Sequence, residues 1–536
     1  MKAFAALLDG LIYTPSRNGK LRLLADYFRS TPDPDRGWAL AALTGGLTQR
    51  HAKPALVRAL TEARVDPMLF RLSYDYVGDL AETVSLIWPG DGAMAETPPR
   101  LGDVVIAVKS ADRADVPGLL EGWLDALDAD GRYALLKLIM GGLRVGVSAR
   151  LAKTALTRMA PAPLVDAGAV TLEEIEEIWF GLEPPYVSLF GWLEGCAGPP
   201  PVDRRIAFRP LMLANPLDDG DLASLDPADF RAEWKWDGIR VQLVAGGGER
   251  RIYSRTGEDI SGAFPDIVEA MDFDAVVDGE LLVLRDGVVA PFNHLQQRLN
   301  RKRVTKQILT DHPAHVRLYD ILFDGDEDLR ALPFDDRRAR LDDWRRREPP
   351  DRMDLSPLVP FESWPDLSAL RDDARANGIE GLMLKRGDSA YTAGRPKGPW
   401  FKWKRDPMLA DCVVMYAQRG HGRRSSFYSD FTFGCWRPDG DGKPELVPVG
   451  KAYFGFTDAE LAELDKWIRG HSTERYGPVR AVEPGLVLEI AFDSVHRSAR
   501  HKSKLAMRFP RVHRIRWDKP HHEADRLETL EGLIAE

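Results

Sequence analysis

Residues 233–240 read Glu-Trp-Lys-Trp-Asp-Gly-Ile-Arg (EWKWDGIR). A lysine between two tryptophans, followed at once by Asp-Gly, is an unusual way to place a surface charge. Strand alternation puts Trp234 and Trp236 on the face opposite Lys235, so they flank the amine rather than cover it. Asp237-Gly238 is a turn signal, which leaves Lys235 at a strand end where a ligand can approach. A lysine is a nucleophile only as the neutral amine, and that form is favoured by desolvation or by neighbouring cations. A hairpin carrying a snorkelling lysine would produce the same octet. The choice between the two rests on the rest of the chain.

Three segments surround the octet. Residues 1–205 carry apolar residues at three- and four-residue spacing with glycines at the breaks, as in LEGWLDALDADGRYALLKLIMGGLRVGVSARLAKTALTRM (120–159), which predicts helices. The stretch GCAGPPPVDRR (195–205) stops any helix and reads as a linker. Across residues 206–407 the character changes to short alternating or β-branched runs, RVQLVA (240–245), RIYSR (251–255), AVVDGELLVL (275–284) and HVRLYDILF (315–323). Helical stretches such as FDDRRARLDDWRRR (334–347) separate them, which predicts an α+β domain on antiparallel strands. Residues 408–536 hold DCVVMYAQR (411–419), SDFTFGCW (429–436) and LVLEIAF (486–492), with one helix at TDAELAELDKWIRG (457–470). That pattern suits a small barrel.

Composition narrows the class. A net charge of −9 excludes a uniformly basic coat but leaves room for a local basic surface. Such a run exists between Arg497 and Lys519, where Arg497, Arg500, Lys502, Lys504, Arg508, Arg511, Arg514, Arg516 and Lys519 face the single acid Asp518. Cys196, Cys412 and Cys435 lack CxxC spacing, which argues against a zinc site or a disulfide framework and for a reducing compartment. No apolar run approaches ~18 residues, and Asp9 interrupts the apolar start, so a cytoplasmic protein without a membrane span is expected. The histidines show no metal-ligand spacing.

Downstream of Lys235 come SRTG (254–257), DGEL (278–281), LYDIL (318–322), EGLMLK (380–385), WFKWK (400–404) and RFPR (508–511). Lys402 and Lys404 alternate with Phe401 and Trp403, so both lysines face one side of a strand, where paired cations suit a phosphate. This order of motifs resembles the nucleotidyltransferase motifs of ATP-dependent DNA ligases, shared more loosely with RNA ligases and mRNA capping enzymes. The resemblance spans about residues 208–519, and GGLRVGVSARLAKTAL (141–156) is similar to the helical DNA-binding domain of larger ligases.

The resemblance implies a multidomain fold: an all-α DNA-binding domain (1–205), an α+β adenylation domain (206–407) and a C-terminal β-barrel of OB type (408–536). It implies ATP as co-substrate with Mg²⁺, a lysyl-AMP adduct on Lys235, and nicked duplex DNA as partner of a monomer, with repair as the natural setting. Glu233 would bind the adenine amino group and Tyr319 would stack on the base. Arg240 and Arg255 would meet ribose and phosphate, and Lys402 and Lys404 would surround the phosphates together with Arg395 or, in its place, Lys397. Lys385 is expected to bring its charge near the phosphates, and Arg508 to orient pyrophosphate. Glu280 and Glu380 would hold the metal, with Glu280 also at the ribose. Arg144 and Arg150 would meet the DNA backbone, and the basic stretch RLNRKRVTK (298–306) is expected to face phosphates as well.

Rival readings are separable. A capping enzyme or an RNA ligase shares the lysine motif but calls for no long helical region upstream. An NAD-dependent DNA ligase carries a four-cysteine zinc module, which three dispersed cysteines do not supply. An inactive DNA-binding scaffold would have no need of the full set Lys235, Glu280, Glu380, Lys402 and Lys404.

Overall fold

The computed structural model describes residues 1–47, 53–90, 98–143, 145–166, 168–202, 206–217, 219–299, 301, 304–347, 350–374, 379–420, 427–498 and 501–534. Two compact units emerge: Met1–Ala155 together with Asp406–Glu536, and Leu156–Arg405. Among the described residues no helix is long and apolar enough to cross a membrane.

In the first unit the N-terminal part is helical, as the periodicity predicts. The 120–159 stretch forms Val116–Ala126, Ala129–Met140 and Ala149–Met159; the second break holds Gly141, Gly142 and Gly146 as anticipated, whereas the first falls at Leu127-Asp128 and leaves Gly122 and Gly131 inside helices. Side-chain caps start several helices: Ser16, Asp79 and Asp128 accept from the amides of Gly19, Glu82 and Gly131. The C-terminal part is an antiparallel sheet in which Met408–Arg419 pairs with Tyr428–Pro438, Val479–Val482 and Val487–Phe492. Val487–Phe492 in turn pairs with Arg511–Arg516. The Val512 amide donates to the Phe454 carbonyl at 3.0 Å, bringing the last strand against the segment after Pro444–Ala452. The expected helix appears as Asp458–Gly470, started by a capping box of Thr457 and Glu460. Cys412 and Cys435 are free, yet strand pairing sets their buried sulfurs 3.6 Å apart.

The second unit is α+β, built on two sheets. One runs, by neighbouring strands, Asn215–Pro216, Trp400–Lys404, Ile379–Arg386, Phe230–Trp236 and Leu358–Val359. The other is centred on Ile239–Gly246, Ala275–Arg285 and Ala314–Asp324, all antiparallel. The back of the first sheet buries Phe230, Ala232, Leu382, Leu384 and Trp403 in one cluster. The second sheet has its own core around Val241, Leu243, Val277, Leu281 and Val316. With alternate residues anchored in those cores, the intervening residues of both sheets are free to carry polar chemistry. The helices at Ala162–Asp166, Leu172–Ile178 and Val187–Leu193 also belong to this unit, where Glu177 pairs with Arg330 and Arg209.

Candidate active site

Lys235 is one residue from the end of the Phe230–Trp236 strand. It is the register partner of Gly381, which is the partner of Lys404; one row along, Glu233 pairs with Met383 and Met383 with Lys402. One face of three adjacent strands therefore presents Glu233, Lys235, Lys402 and Lys404. A β-bulge makes Glu380 the extra residue between Ile379 and Gly381, which re-aims its side chain. Gly381 sustains that bulge at φ +146°, and an added Cβ would lie 2.3 Å from the Trp403 carbonyl oxygen. The result is an ion pair between Lys235 Nζ and Glu380 Oε2, with Lys404 Nζ 3.8 Å from the same oxygen.

The turn after Lys235 crosses from the first sheet to the second, and its glycine has a steric reason. A Cβ at Gly238 would come within 2.5 Å of the Leu281 carbonyl oxygen and 2.8 Å of Glu280 Cγ. Gly238 thus lets the turn close down on Glu280. Gly238→Ala is expected to cost about 1–3 kcal/mol of stability through overpacking and to displace Glu280. A thermal melt, read beside the rate of nucleotide labelling, checks both effects.

Burial pushes the Glu280 carboxyl up to about 8, with the charges of Glu380 and Asp237 adding to the rise and Lys235 and Arg240 opposing it. Because the folded chain holds this proton well above the ordinary carboxylate range, the wild type loses stability as pH climbs from about 4.5 to about 8. Above that window the loss is constant. In metal-free buffer the melting temperature of Glu280→Gln is therefore expected to gain on the wild type across that window and then level off. A difference independent of pH would contradict the geometry.

The remaining cations gather around Lys402. Burial lowers its pKa first, and repulsion from Arg395, Lys404, Lys235 and Arg255 lowers it further. Arg255 and Arg395 are both exposed. Arg240 is tied back: its guanidinium donates to Asp278 Oδ2 at 2.7 Å, the Met212 carbonyl at 2.7 Å and Tyr391 Oη at 3.0 Å. The Tyr319 ring sits under two cations, Lys385 Nζ at 4.7 Å and Arg240 at 5.8 Å from its centroid.

Lys385 departs from expectation. It does not join the cations beside Lys235 but is buried, with Nζ 2.6 Å from Glu233 Oε2 and 3.2 Å from the Tyr319 carbonyl. Its place in the row of Arg231 and Trp400, two rows from Lys235, accounts for the difference. Arg298 departs as well: it is fully buried in a bidentate pair with Asp266, so it belongs to the core rather than to a phosphate-facing surface. Lys302 and Arg303 of that basic stretch lie outside the described residues.

Sequence reasoning missed Arg338, Asp278 and Tyr391. Arg338 sits in a helix so rich in alternating charge that it reads as a solvated face, yet its guanidinium reaches the buried Glu233 at 3.3 Å. In the first unit, Arg150 is exposed at the start of Ala149–Met159, behind Ser148, whose hydroxyl accepts from the Leu151 amide. The neighbouring loop is pinned by Lys20, which donates to the carbonyls of Val145 at 2.6 Å and Gly146 at 3.2 Å. Arg144 lies outside the described residues. Arg508 ends the Leu505–Arg508 strand, with its guanidinium 5.2 Å from the centroid of the exposed Phe509 ring.

Comparison with known proteins agrees with this layout. The family described as ATP dependent DNA ligase domain matches residues 211–404, and the ATP dependent DNA ligase C terminal region matches 424–519. A probable DNA ligase of Anaeromyxobacter sp. is 33% identical, over 98% of this chain and 96% of its own length. Another, of Koribacter versatilis, is 30% identical over 99% and 96%. A probable DNA ligase of Opitutus terrae is 31% identical over 99% of this chain, which spans 62% of that longer protein. The solved structure of Pmar-Lig_PreS3 shares the fold, with a TM-score of 0.60 at 15% identity, over 96% of this chain and 99% of that one. Full-length similarity at this level, on a chain whose motif residues converge as described, makes the protein a member of the ATP-dependent DNA ligases, enzymes that seal nicks in duplex DNA through adenylate intermediates.

Proposed function

We propose that Lys235 is the nucleophile that attacks the α-phosphate of ATP, expels pyrophosphate and carries AMP as a phosphoramide before passing it to the 5′-phosphate of a nick. The 3′-hydroxyl then displaces AMP. The observation that carries this reading is the convergence of Lys235, Glu380, Lys402 and Lys404 on one sheet face, with Glu280 a turn away. In it, Lys402, Lys404, Arg255 and Arg395 stabilise the charge on the transferring phosphoryl oxygens. Glu233 and Tyr319 receive the base, with Lys385 behind Glu233, and Arg240 lies toward the ribose.

Glu280 and Glu380 fit a divalent cation. They are two neighbouring carboxylates whose mutual repulsion adds to the rise at Glu280, and Mg²⁺ commonly binds through one or two carboxylates plus substrate phosphates. When bound, the cation would offset negative charge growing on the α-phosphate.

Arg508 of the barrel would orient pyrophosphate, and Arg144 and Arg150 would grip the DNA backbone, with domain limits near residues 205 and 407. The enzyme would work as a cytoplasmic, nucleoid-associated monomer in DNA repair. Incubation with α-labelled ATP, GTP or NAD, followed by nicked duplex, tests the reading. Label bound to protein from ATP alone and chased onto the DNA is the expected result. Label from NAD or GTP instead, or label that DNA does not chase, would replace it.

A further inference from the structure

Glu233 is almost fully buried, at 2% exposure, and its carboxylate meets two cations from two different elements. Lys385, from the neighbouring strand, holds Oε2 at 2.6 Å. Arg338, from the Phe334–Arg347 helix, donates from one nitrogen to Oε1 at 3.3 Å and to the Ser356 carbonyl at 2.8 Å. Its other terminal nitrogen is 3.4 Å from Asp342. Ser356 links this contact to the nucleophile strand, since its hydroxyl accepts from Trp236 Nε1 at 3.2 Å. Arg338 is therefore fixed by a backbone carbonyl and an acid of its own helix, and aimed at the carboxylate.

The chemistry of that carboxylate decides which base it accepts. An ionised carboxylate is acceptor-only, whereas a protonated one also donates. Adenine presents an amino donor at C6 and guanine presents a carbonyl acceptor at the same place. An ionised Glu233 therefore accepts adenine and repels guanine, and a protonated one loses that preference. Burial favours the protonated form, with the nearby Asp320 adding to the rise and Lys385 and Arg338 opposing it. Asp320 is itself held by Arg337 at 2.9 Å, so its charge is largely spent. A guanidinium stays charged at every working pH.

We propose that Arg338 is a specificity-determining positioning residue: it holds Glu233 oriented and ionised, so that the site takes ATP rather than GTP. This rests on the reading that Glu233 meets the base, and two sets of variants separate the failures. The full chain is assayed for covalent labelling with α-labelled ATP and α-labelled GTP in Mg²⁺, with melting curves on every variant. In Arg338→Met the GTP-to-ATP ratio of labelling efficiency is expected to rise at least about tenfold, with the loss for ATP falling mainly on KM. Arg338→Gln, which can still donate to Ser356 but carries no charge, should behave alike and covers the case in which the methionine variant fails to fold. Arg338→Lys should restore discrimination. In the Met and Gln variants the preference for ATP should recover as pH is raised, because Glu233 then ionises without help.

An unchanged ratio in Arg338→Met or Arg338→Gln, beside a lost preference in Glu233→Ala, overturns the role of Arg338 alone. An unchanged ratio in Glu233→Ala overturns the reading of Glu233 itself. A loss confined to the maximal rate, equal for both nucleotides and independent of pH, would make Arg338 a merely structural residue and would also overturn the proposal.

Discussion

Lys235→Arg is expected to form no enzyme–AMP adduct, a loss of at least about 10⁴-fold, while keeping its fold. Arginine preserves the positive charge that pairs with Glu380 and reaches a similar length, so the strand end and the bulge opposite it have no reason to rearrange. What it removes is the lone pair, because a guanidinium does not deprotonate in proteins. The same variant should lose far less when given a nick already carrying a 5′-adenylate, since closing that nick needs no nucleophile on the enzyme. The measurement is α-labelled ATP followed by a denaturing gel, with the pre-adenylated nick as the second substrate. A protein band that kept its label in the arginine variant would remove Lys235 from the chemistry.

Glu380→Ala should slow adduct formation by about 10²–10⁴-fold, with a melting temperature close to wild type. Glu380 is partly exposed, at 17% for its side chain, and is the extra residue of a bulge rather than a member of the sheet's hydrophobic clusters. Its loss takes away the partner of Lys235 and Lys404 and one of two proposed metal ligands at once. Titration of Mg²⁺ separates the two roles. If the metal is held here, the alanine variant should need far more Mg²⁺, and excess EDTA should silence the wild type. Adduct formation indifferent to EDTA would leave Glu380 as a partner of lysines only.

Much of this protein is set by local sequence. Helix and strand placement follows from hydrophobic period and turn residues, as at Phe334–Arg347, Asp458–Gly470 and Ala275–Arg285, because the two helices bury one face, the strand is a short apolar run buried along most of its length, and all three have clear ends. The octet at 233–240, with the later motifs in order, points to the candidate nucleophile and carboxylates through their resemblance to the ligase motifs, while alternation alone tells that Lys402 and Lys404 share a strand face. Tertiary structure decided the rest. A bulge cannot be read from one strand, so nothing in EGLMLK foretold that Glu380 would turn onto Lys235. Strand register sent Lys385 two rows away to the buried Glu233, where the resemblance had implied a place near the phosphates. Arg298 and Arg338 look like solvated charges in sequence, and only the fold buries Arg298 against Asp266 and brings the half-buried Arg338 to the buried Glu233. Gly238 reads as a turn residue from its neighbours; that it must also clear Glu280 on a different sheet depends on two segments some forty residues apart in the chain, and only the fold brings them together.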